Sequence, residues 1–170
     1  MSHSNNIYRY LDTNGDGTGT KSAIGNYSSS ATSFMIKPPD NYIYYLQRMI
    51  VMIEDGGAVD SGAYGNNITL TNGIHIHKSN DDGVILDFTD EFPIKTNADW
   101  GKLCYDVHNV NFGLGNEFVN VRWTFAKSGA PLKIDGNRGE KFEVILNDNF
   151  SGLVSHTFNV QGTILYVDKL

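Results

Sequence analysis

The sequence predicts an all-β protein, an antiparallel β-sandwich of the jelly-roll type preceded by an extended N-terminal arm. From Thr32 to the C-terminus, β-branched and aromatic runs recur about every ten residues, separated by Gly, Asn or Asp. No helical periodicity of useful length interrupts them. Strands at this spacing are typical of sandwiches and barrels, and the lack of an internal repeat argues against a propeller or β-helix.

Two parts of the chain differ in composition, which divides it into an arm (residues 1–31) and a sandwich domain (residues 32–170). Residues 12–30 are nearly all Gly, Ser, Thr, Asn and Asp, and such a segment buries too little apolar surface to offset its ordering entropy. An apolar group precedes it, and we predict that it anchors the arm on a neighbouring subunit: Ile7, Tyr8, Tyr10 and Leu11. The alternatives are a loop packed on its own domain and a disordered segment.

The first strands of the domain are bounded by clear stop signals. Residues 33–36 form a short strand that ends before Pro38 and Pro39, which cannot donate ladder hydrogen bonds. Residues 42–53 form the longest apolar segment, and the interruption at Gln47 and Arg48 predicts a strand with a bulge or bend. A Gly-rich loop then runs to residue 67.

Two turn signals organise the middle of the chain. Asn72-Gly73 separates residues 68–70 from residues 74–76 and predicts a hairpin between them. Asp82-Gly83 predicts a second turn before a strand that contains Val84, Leu86 and Phe88.

The second half continues the same pattern. Residues 93–100 are predicted to form a loop, and residues 118–125 alternate so that Val119, Val121 and Trp123 share one face. The other segments predicted to be extended are residues 103–107, 110–112, 132–134, 142–146 and 158–167.

Size and charge restrict the function classes. At 170 residues the chain can bury a core without disulfides, and its net charge of -6 comes with no Lys or Arg run to neutralise a phosphate backbone. The apolar stretch at residues 49–53 is far too short to span a membrane, and residues 1–6 do not resemble a secretion signal. We therefore expect no nucleic-acid or membrane partner. Cys104, the single cysteine, is expected to be a buried and inert thiol.

Two patterns resemble metal sites, and each is incomplete. Asp12, Asn14 and Asp16 match the first half of a calcium-binding loop, but Ala23 occupies the position that requires a Glu. His75 and His77 alternate on one strand, so their imidazoles share a face about 6–7 Å apart. Zinc would need a third ligand, with Asp81, Asp82 or His108 as candidates. We expect a Gly-rich turn in the first case and exposed histidines in the second.

No catalytic signature is visible, so we expect a protein that is not an enzyme and uses no cofactor. The carboxylates are scattered and do not form the paired arrangement of a glycosidase. Tyr42, Tyr44 and Tyr45 have the amphipathic character of a sugar-stacking platform or an interface patch. Strand alternation predicts instead that alternate members of this group are core residues.

Several segments follow one another in a distinctive order: residues 12–21 and 23–27, Arg48-Met-Ile-Val-Met-Ile-Glu-Asp, Thr71-Asn-Gly-Ile, Pro93-Ile-Lys-Thr-Asn, Val121-Arg-Trp-Thr-Phe and Leu146-Asn-Asp-Asn-Phe-Ser-Gly-Leu. This succession resembles small virion structural proteins of tailed bacteriophages, particularly those of aquatic bacteria. The resemblance covers most of the chain.

The resemblance implies a capsid-associated or tail-associated β-sandwich that assembles as a trimer or on a symmetric lattice and carries no catalytic residues. We expect a capsid decoration (cement) protein in the virion, assembled in the host cytoplasm, whose partners are the major capsid protein, other virion proteins and copies of itself. The alternatives are a tail, baseplate or fibre component, and a carbohydrate-binding β-sandwich module.

Overall fold

The computed structural model describes residues 5–12, 32–55, 57–65, 69–104, 106–111, 117–125, 129–148, 150, 153 and 155–167. Ten strands make up most of this part of the chain. They are β1 (Asn5–Asp12), β2 (Thr32–Ile36), β3 (Tyr42–Asp55), β4 (His75–Asn80), β5 (Gly83–Asp87), β6 (Val107–Asn111), β7 (Glu117–Thr124), β8 (Leu132–Asp135), β9 (Lys141–Leu146) and β10 (Ser155–Tyr166). The helical elements are short: α1 (Trp100–Leu103) and the 3-10 turns Asn97–Asp99 and Gly136–Arg138.

The strands form two antiparallel sheets in a jelly-roll arrangement, which confirms the predicted fold class. One sheet has the order β1-β10-β3-β7-β6, and β8 pairs with the first part of β3. The other sheet has the order β2-β9-β4-β5. Successive strands from β1 to β4 thus alternate between the two sheets, β5 then pairs with β4 in the same sheet, and the late strands β9 and β10 each insert between earlier ones. This interleaving gives the double Greek key of a jelly roll.

The core lies between the two sheets and is built from alternate residues of each strand. Met49, Val51 and Ile53 of β3 are fully buried, as are Phe142 and Val144 of β9. Phe34 stacks on Phe158 across the two sheets, with ring centroids 5.9 Å apart. Each of these side chains contributes about 1.5–3 kcal/mol through removal from water. The predicted alternation in β7 is confirmed, because Val119, Val121 and Trp123 are buried.

A β-bulge interrupts β3 where the sequence predicted one. Gln161 of β10 pairs with Arg48, whereas the next residue, Gly162, pairs with Leu46, so Gln47 is the extra residue. The bulge reverses the alternation, and Leu46 and Met49 therefore both face the core. At this point the two strands approach so closely that a side chain on Gly162 would overlap the Tyr45 carbonyl oxygen.

The predicted Asn72-Gly73 hairpin is wrong. Residues 69 and 70 are not in a strand, and Ile74 forms a bridge with Ile94 instead of pairing back across the turn. The cause is Asp148, a buried carboxylate that accepts hydrogen bonds from the backbone N–H groups of Thr71 (2.7 Å), Asn72 (3.1 Å) and Gly73 (2.8 Å). The turn is held by a distant side chain, so its local sequence did not determine the pairing.

The predicted extended segment at residues 103–107 is also wrong in its first part. Thr96 and Asp99 form a reciprocal capping box at the start of a helical stretch that continues through α1. Burial alone would raise the pKa of Asp99, but hydrogen bonds from Lys102, from the Lys95 backbone and from Thr96 outweigh it and lower that pKa. Cys104, which caps this helix, is already extended, and strand pairing begins at β6.

The start of the chain joins its own domain through backbone pairing. β1 lies antiparallel to β10 at the edge of the six-stranded sheet, with Leu11 opposite Phe158 and Tyr10 opposite Asn159. The side-chain contacts of Ile7, Tyr8, Tyr10 and Leu11 lie outside what the structure describes, and so do residues 13–31. The chain therefore places the predicted anchors on an edge strand, while their role between subunits stays a prediction.

Candidate interaction surfaces

Three connections meet in a polar cleft of about 720 Å³. The β2–β3 loop contributes Lys37 to Asp40, the β4–β5 turn contributes Asn80 to Asp82, and the turn after β8 contributes Gly136 to Gly139. Gly136 packs against the Pro39 carbonyl too closely for any side chain. The Asn41 backbone N–H donates to Asn137 Oδ1 at 3.0 Å, which ties the first loop to the third.

Charges of both signs line this cleft. Lys37 and Arg138 face a set of three acids, namely Asp40, Asp81 and Asp82. Lys37 Nζ lies 4.0 Å from Asp81 Oδ1 in an exposed pair, which contributes little to stability. Aromatic residues are not among the lining residues, so the cleft offers hydrogen bonds and charge without a stacking surface for a sugar ring.

A second ion pair, close to the start of β9, is shielded from solvent. Lys78 Nζ lies 2.8 Å from Glu140 Oε2, and both side chains are largely buried. The same Glu140 oxygen accepts from the Asp135 backbone N–H at 2.8 Å. Glu140 therefore links β4 to the turn after β8, which is a structural task.

His75 and His77 share a face of β4, as predicted, with ring centroids 6.1 Å apart. A third ligand is not brought to them. His77 Nε2 lies 3.0 Å from Asp87 Oδ2 on β5, Asp81 and Asp82 line the cleft, and His108 lies on β6 in the other sheet. Within the described residues, no group of three His, Cys, Asp or Glu side chains is placed to hold a metal ion. The calcium-like pattern at Asn14 and Asp16 lies outside the described residues.

A buried polar pair connects the long β3–β4 excursion to β10, and no sequence pattern predicted it. Tyr64 Oη lies 2.6 Å from His156 Nε2, and both side chains are almost completely buried beside Phe150. Burial lowers the pKa of His156 to about 3 and raises the pKa of Tyr64 well above its usual value. Both groups are therefore neutral at pH 7, and their burial suits a structural link between elements.

The other singled-out residues have structural surroundings. Cys104 is buried, and its Sγ lies 3.5 Å from the Trp100 carbonyl oxygen, as expected for an inert thiol. Tyr44 packs against the core, whereas Tyr45 is on the opposite side of β3, so the three tyrosines do not form a single platform. Tyr42 instead contacts Tyr166 edge to face at 5.2 Å.

Sequence reasoning located β5 but missed its exposure. None of the five β5 residues is buried, and Val84, Ile85 and Leu86 are 56%, 43% and 47% exposed. A run of three aliphatic residues usually indicates a buried strand, and only the position of β5 at the edge of its sheet reverses that reading. Exposed apolar edges of this kind mark interaction sites.

The described part of the chain contains no helix of the length and apolar character needed to cross a membrane.

Comparison with known proteins gave no assignment. No protein-family model matches the chain, and no curated protein matches it either.

Proposed function

We propose that this protein is a structural component of a bacteriophage virion, most specifically a decoration (cement) protein that stabilises the head through contacts between subunits. It works through its exterior and not through catalysis. The observation that carries the proposal is the position of β1. This strand sits on the edge of the β10 strand and is connected to β2 only through residues 13–31.

Backbone pairing of this kind transfers readily between copies. The edge of β10 requires a partner strand, and a strand from a neighbouring copy satisfies the same hydrogen bonds as the chain's own β1. The 19 residues from 13 to 31 span at most about 65 Å when extended, which is enough to reach an adjacent subunit. Ile7, Tyr8, Tyr10 and Leu11 are the residues that we propose as the anchors of this exchange.

The energetic argument rests on repetition. A single exchanged strand must offset the entropy of ordering the arm and of fixing two subunits relative to each other. Many copies on a symmetric lattice share that cost, because each one binds neighbours that are already held in place. A low charged fraction, 19% of residues, is compatible with a surface that is largely covered by other chains.

The test is a deletion of residues 1–20, added to phage heads that were assembled without the protein. We expect a folded domain that no longer cosediments with the heads, because the strand that pairs with a neighbour is missing. Deletion of residues 1–4 alone keeps β1 and is the matched control, which should bind like the full chain. Full binding by the longer deletion would contradict the role of the arm.

A tail, baseplate or fibre location is the alternative within the same class, and copy number separates the two. A head lattice predicts hundreds of copies per virion, whereas tail symmetry predicts about a dozen or fewer. Quantitative mass spectrometry of purified virions measures this directly. A count of about a dozen would replace the decoration role with the tail role.

A further inference from the structure

We propose that the edge of β5 is a docking site for an extended segment of a partner protein, apolar in its middle and flanked by Lys or Arg at both ends. This surface lies in the four-stranded sheet, whereas the arm belongs to the six-stranded sheet. The inference therefore does not depend on the virion role or on strand exchange at β10.

The first observation is an apolar edge with an unpaired side. Among the described residues, β5 pairs with β4 only, and its three central residues are the largest run of exposed aliphatic side chains. The register shifts between Lys78 and Ser79, so Leu86 stands beside Lys78 and Val84 beside Ser79. Lys78 and Ser79 are successive residues of β4 and point to opposite faces of the sheet. Their partners Leu86 and Val84 therefore also point to opposite faces, and the edge of β5 is apolar on both.

The second observation is that this edge is held in a fixed geometry. Asp87 pairs with His77 and accepts from the Thr89 backbone N–H at 2.8 Å. The Thr89 hydroxyl in turn accepts from the Ile76 N–H at 2.9 Å, and Phe88 packs edge to face on Trp123 in the core. A strand that is ordered in advance loses little entropy when another strand pairs with it.

The third observation identifies the chemistry of the partner. Exposed acids flank the apolar run on both sides: Asp81 and Asp82 precede it, and Asp90 and Glu91 follow it. These charges repel a second copy of β5, because an antiparallel pair would bring acidic ends together. They attract a strand with basic ends, and main-chain hydrogen bonds at the edge would supply affinity while the charges supply selectivity.

The experiment uses the full chain and the labelled peptide Lys-Lys-Thr-Val-Ile-Val-Thr-Lys-Lys as the probe, with fluorescence anisotropy for affinity and amide NMR for location. We expect saturable binding, with shift changes concentrated at residues 83–87. The same peptide with Glu in place of every Lys should bind at least tenfold more weakly. A version N-methylated on alternate residues, which cannot complete the ladder, should also lose at least tenfold.

Two variants of the protein separate the contributions. Replacing Val84, Ile85 and Leu86 by Thr places a β-branched residue with high strand propensity at each position and should weaken binding at least tenfold. Met35→Thr, an exposed apolar residue on the opposite edge of the same sheet, is the matched control and should change nothing. The triple variant Asp82→Asn, Asp90→Asn and Glu91→Gln should weaken binding severalfold and reduce its dependence on salt.

Four results would overturn the proposal. Equal binding of the Lys-flanked and Glu-flanked peptides would remove the charge argument. Shift changes away from β5 would remove the site. Dimers of the full chain that dissociate on the Thr substitution, detected by sedimentation, would show that the occupant is a second copy. If neither peptide binds and the acid-neutralised variant only precipitates, the acids protect the edge against aggregation and recruit no partner.

Discussion

At the scale of single residues, several polar and titratable side chains are buried and have structural roles. The groups that usually suggest a reactive site are used for structure: Asp148 holds a turn, Glu140 pairs with Lys78, and His156 bonds to Tyr64. In each case the polar group is buried and has a defined partner, which reduces the energetic cost of its burial. The second ring nitrogen of His156, Nδ1, has no partner among the described residues.

The buried His156 makes a prediction about acid stability. Above pH 6.5 the imidazole is neutral in both the folded and the unfolded chain, so it causes no pH dependence. Below pH 6.5 the unfolded chain binds a proton, whereas the folded chain does not until about pH 3, where its own pKa lies. This single group should therefore reduce the free energy of unfolding by up to about 1.4 kcal/mol per pH unit as the pH falls through that window.

Denaturant unfolding of the wild type and of His156→Gln between pH 7.5 and pH 5 measures the effect. The variant will be less stable, because it loses packing against Phe150 and Phe158, but its stability should fall less steeply with acid. The control is Val144→Ala, which removes buried packing without removing an imidazole and should leave the wild-type slope unchanged. Identical slopes for His156→Gln and the wild type would show that His156 does not titrate as proposed.

At the scale of elements, β3 is the strand that organises the sandwich. Its first part pairs with β8, its last part pairs with β7, and β10 runs along its whole length. The bulge at Gln47 lets one long strand keep apolar residues inward on both sides of the irregularity. Gly162 is required opposite the bulge because the Tyr45 backbone leaves no space there for a side chain.

A pair of glycine substitutions tests this account of the bulge. Gly162→Ala should lower the free energy of unfolding by roughly 2 kcal/mol or more, because backbone atoms of β3 must move to accept the methyl group. Gly101→Ala places the same methyl group where no atom lies within 4 Å, in a helix, and should be neutral or slightly stabilising. Thermal unfolding of both variants compares them. Equal effects would mean that the close approach at Gly162 does not constrain the fold.

The elements also show which features follow from sequence and which do not. Alternation in β7 and the interruption at Gln47 are local patterns, and local patterns predicted both structures. The Asn72-Gly73 turn and α1 were mispredicted for opposite reasons. The turn is held by Asp148 from 75 residues away, a tertiary contact that no window of sequence contains. The helical stretch had a local signal, the Thr96–Asp99 capping pair. This signal is easy to overlook because Asp stands where a capping box usually has Glu or Gln.

The exposed edge of β5 and the cleft were the features least predictable from sequence. The residues of β5 were recognised as a strand, but their exposure depends on β5 being last in the order β2-β9-β4-β5. Long-range pairing fixes that order, and apolar content alone favours the buried alternative. The same holds for the cleft, whose three loops come from residues 37–40, 80–82 and 136–139.

At the scale of the whole molecule, two sheet edges carry the proposed interactions. We propose that the β10 edge accepts a strand of the kind that this chain itself provides, and that the β5 edge selects a basic strand from another protein. A jelly roll is well suited to this division because each of its two sheets leaves edge strands at its sides. Fold alone does not establish function, so the assignment depends on measurements at these edges.

A cross-link between β1 and β10 tests the central proposal most directly. Tyr10 and Asn159 are directly opposite in the register, and opposite residues of an antiparallel pair lie within reach of a disulfide. The variant carries Tyr10→Cys and Asn159→Cys together with Cys104→Ser, and it is oxidised after it has bound to phage heads. A denaturing gel should then show covalent dimers and higher multimers, since each arm pairs with the β10 of a neighbour. Monomers that all contain an intrachain disulfide would contradict the proposal that the arm joins subunits.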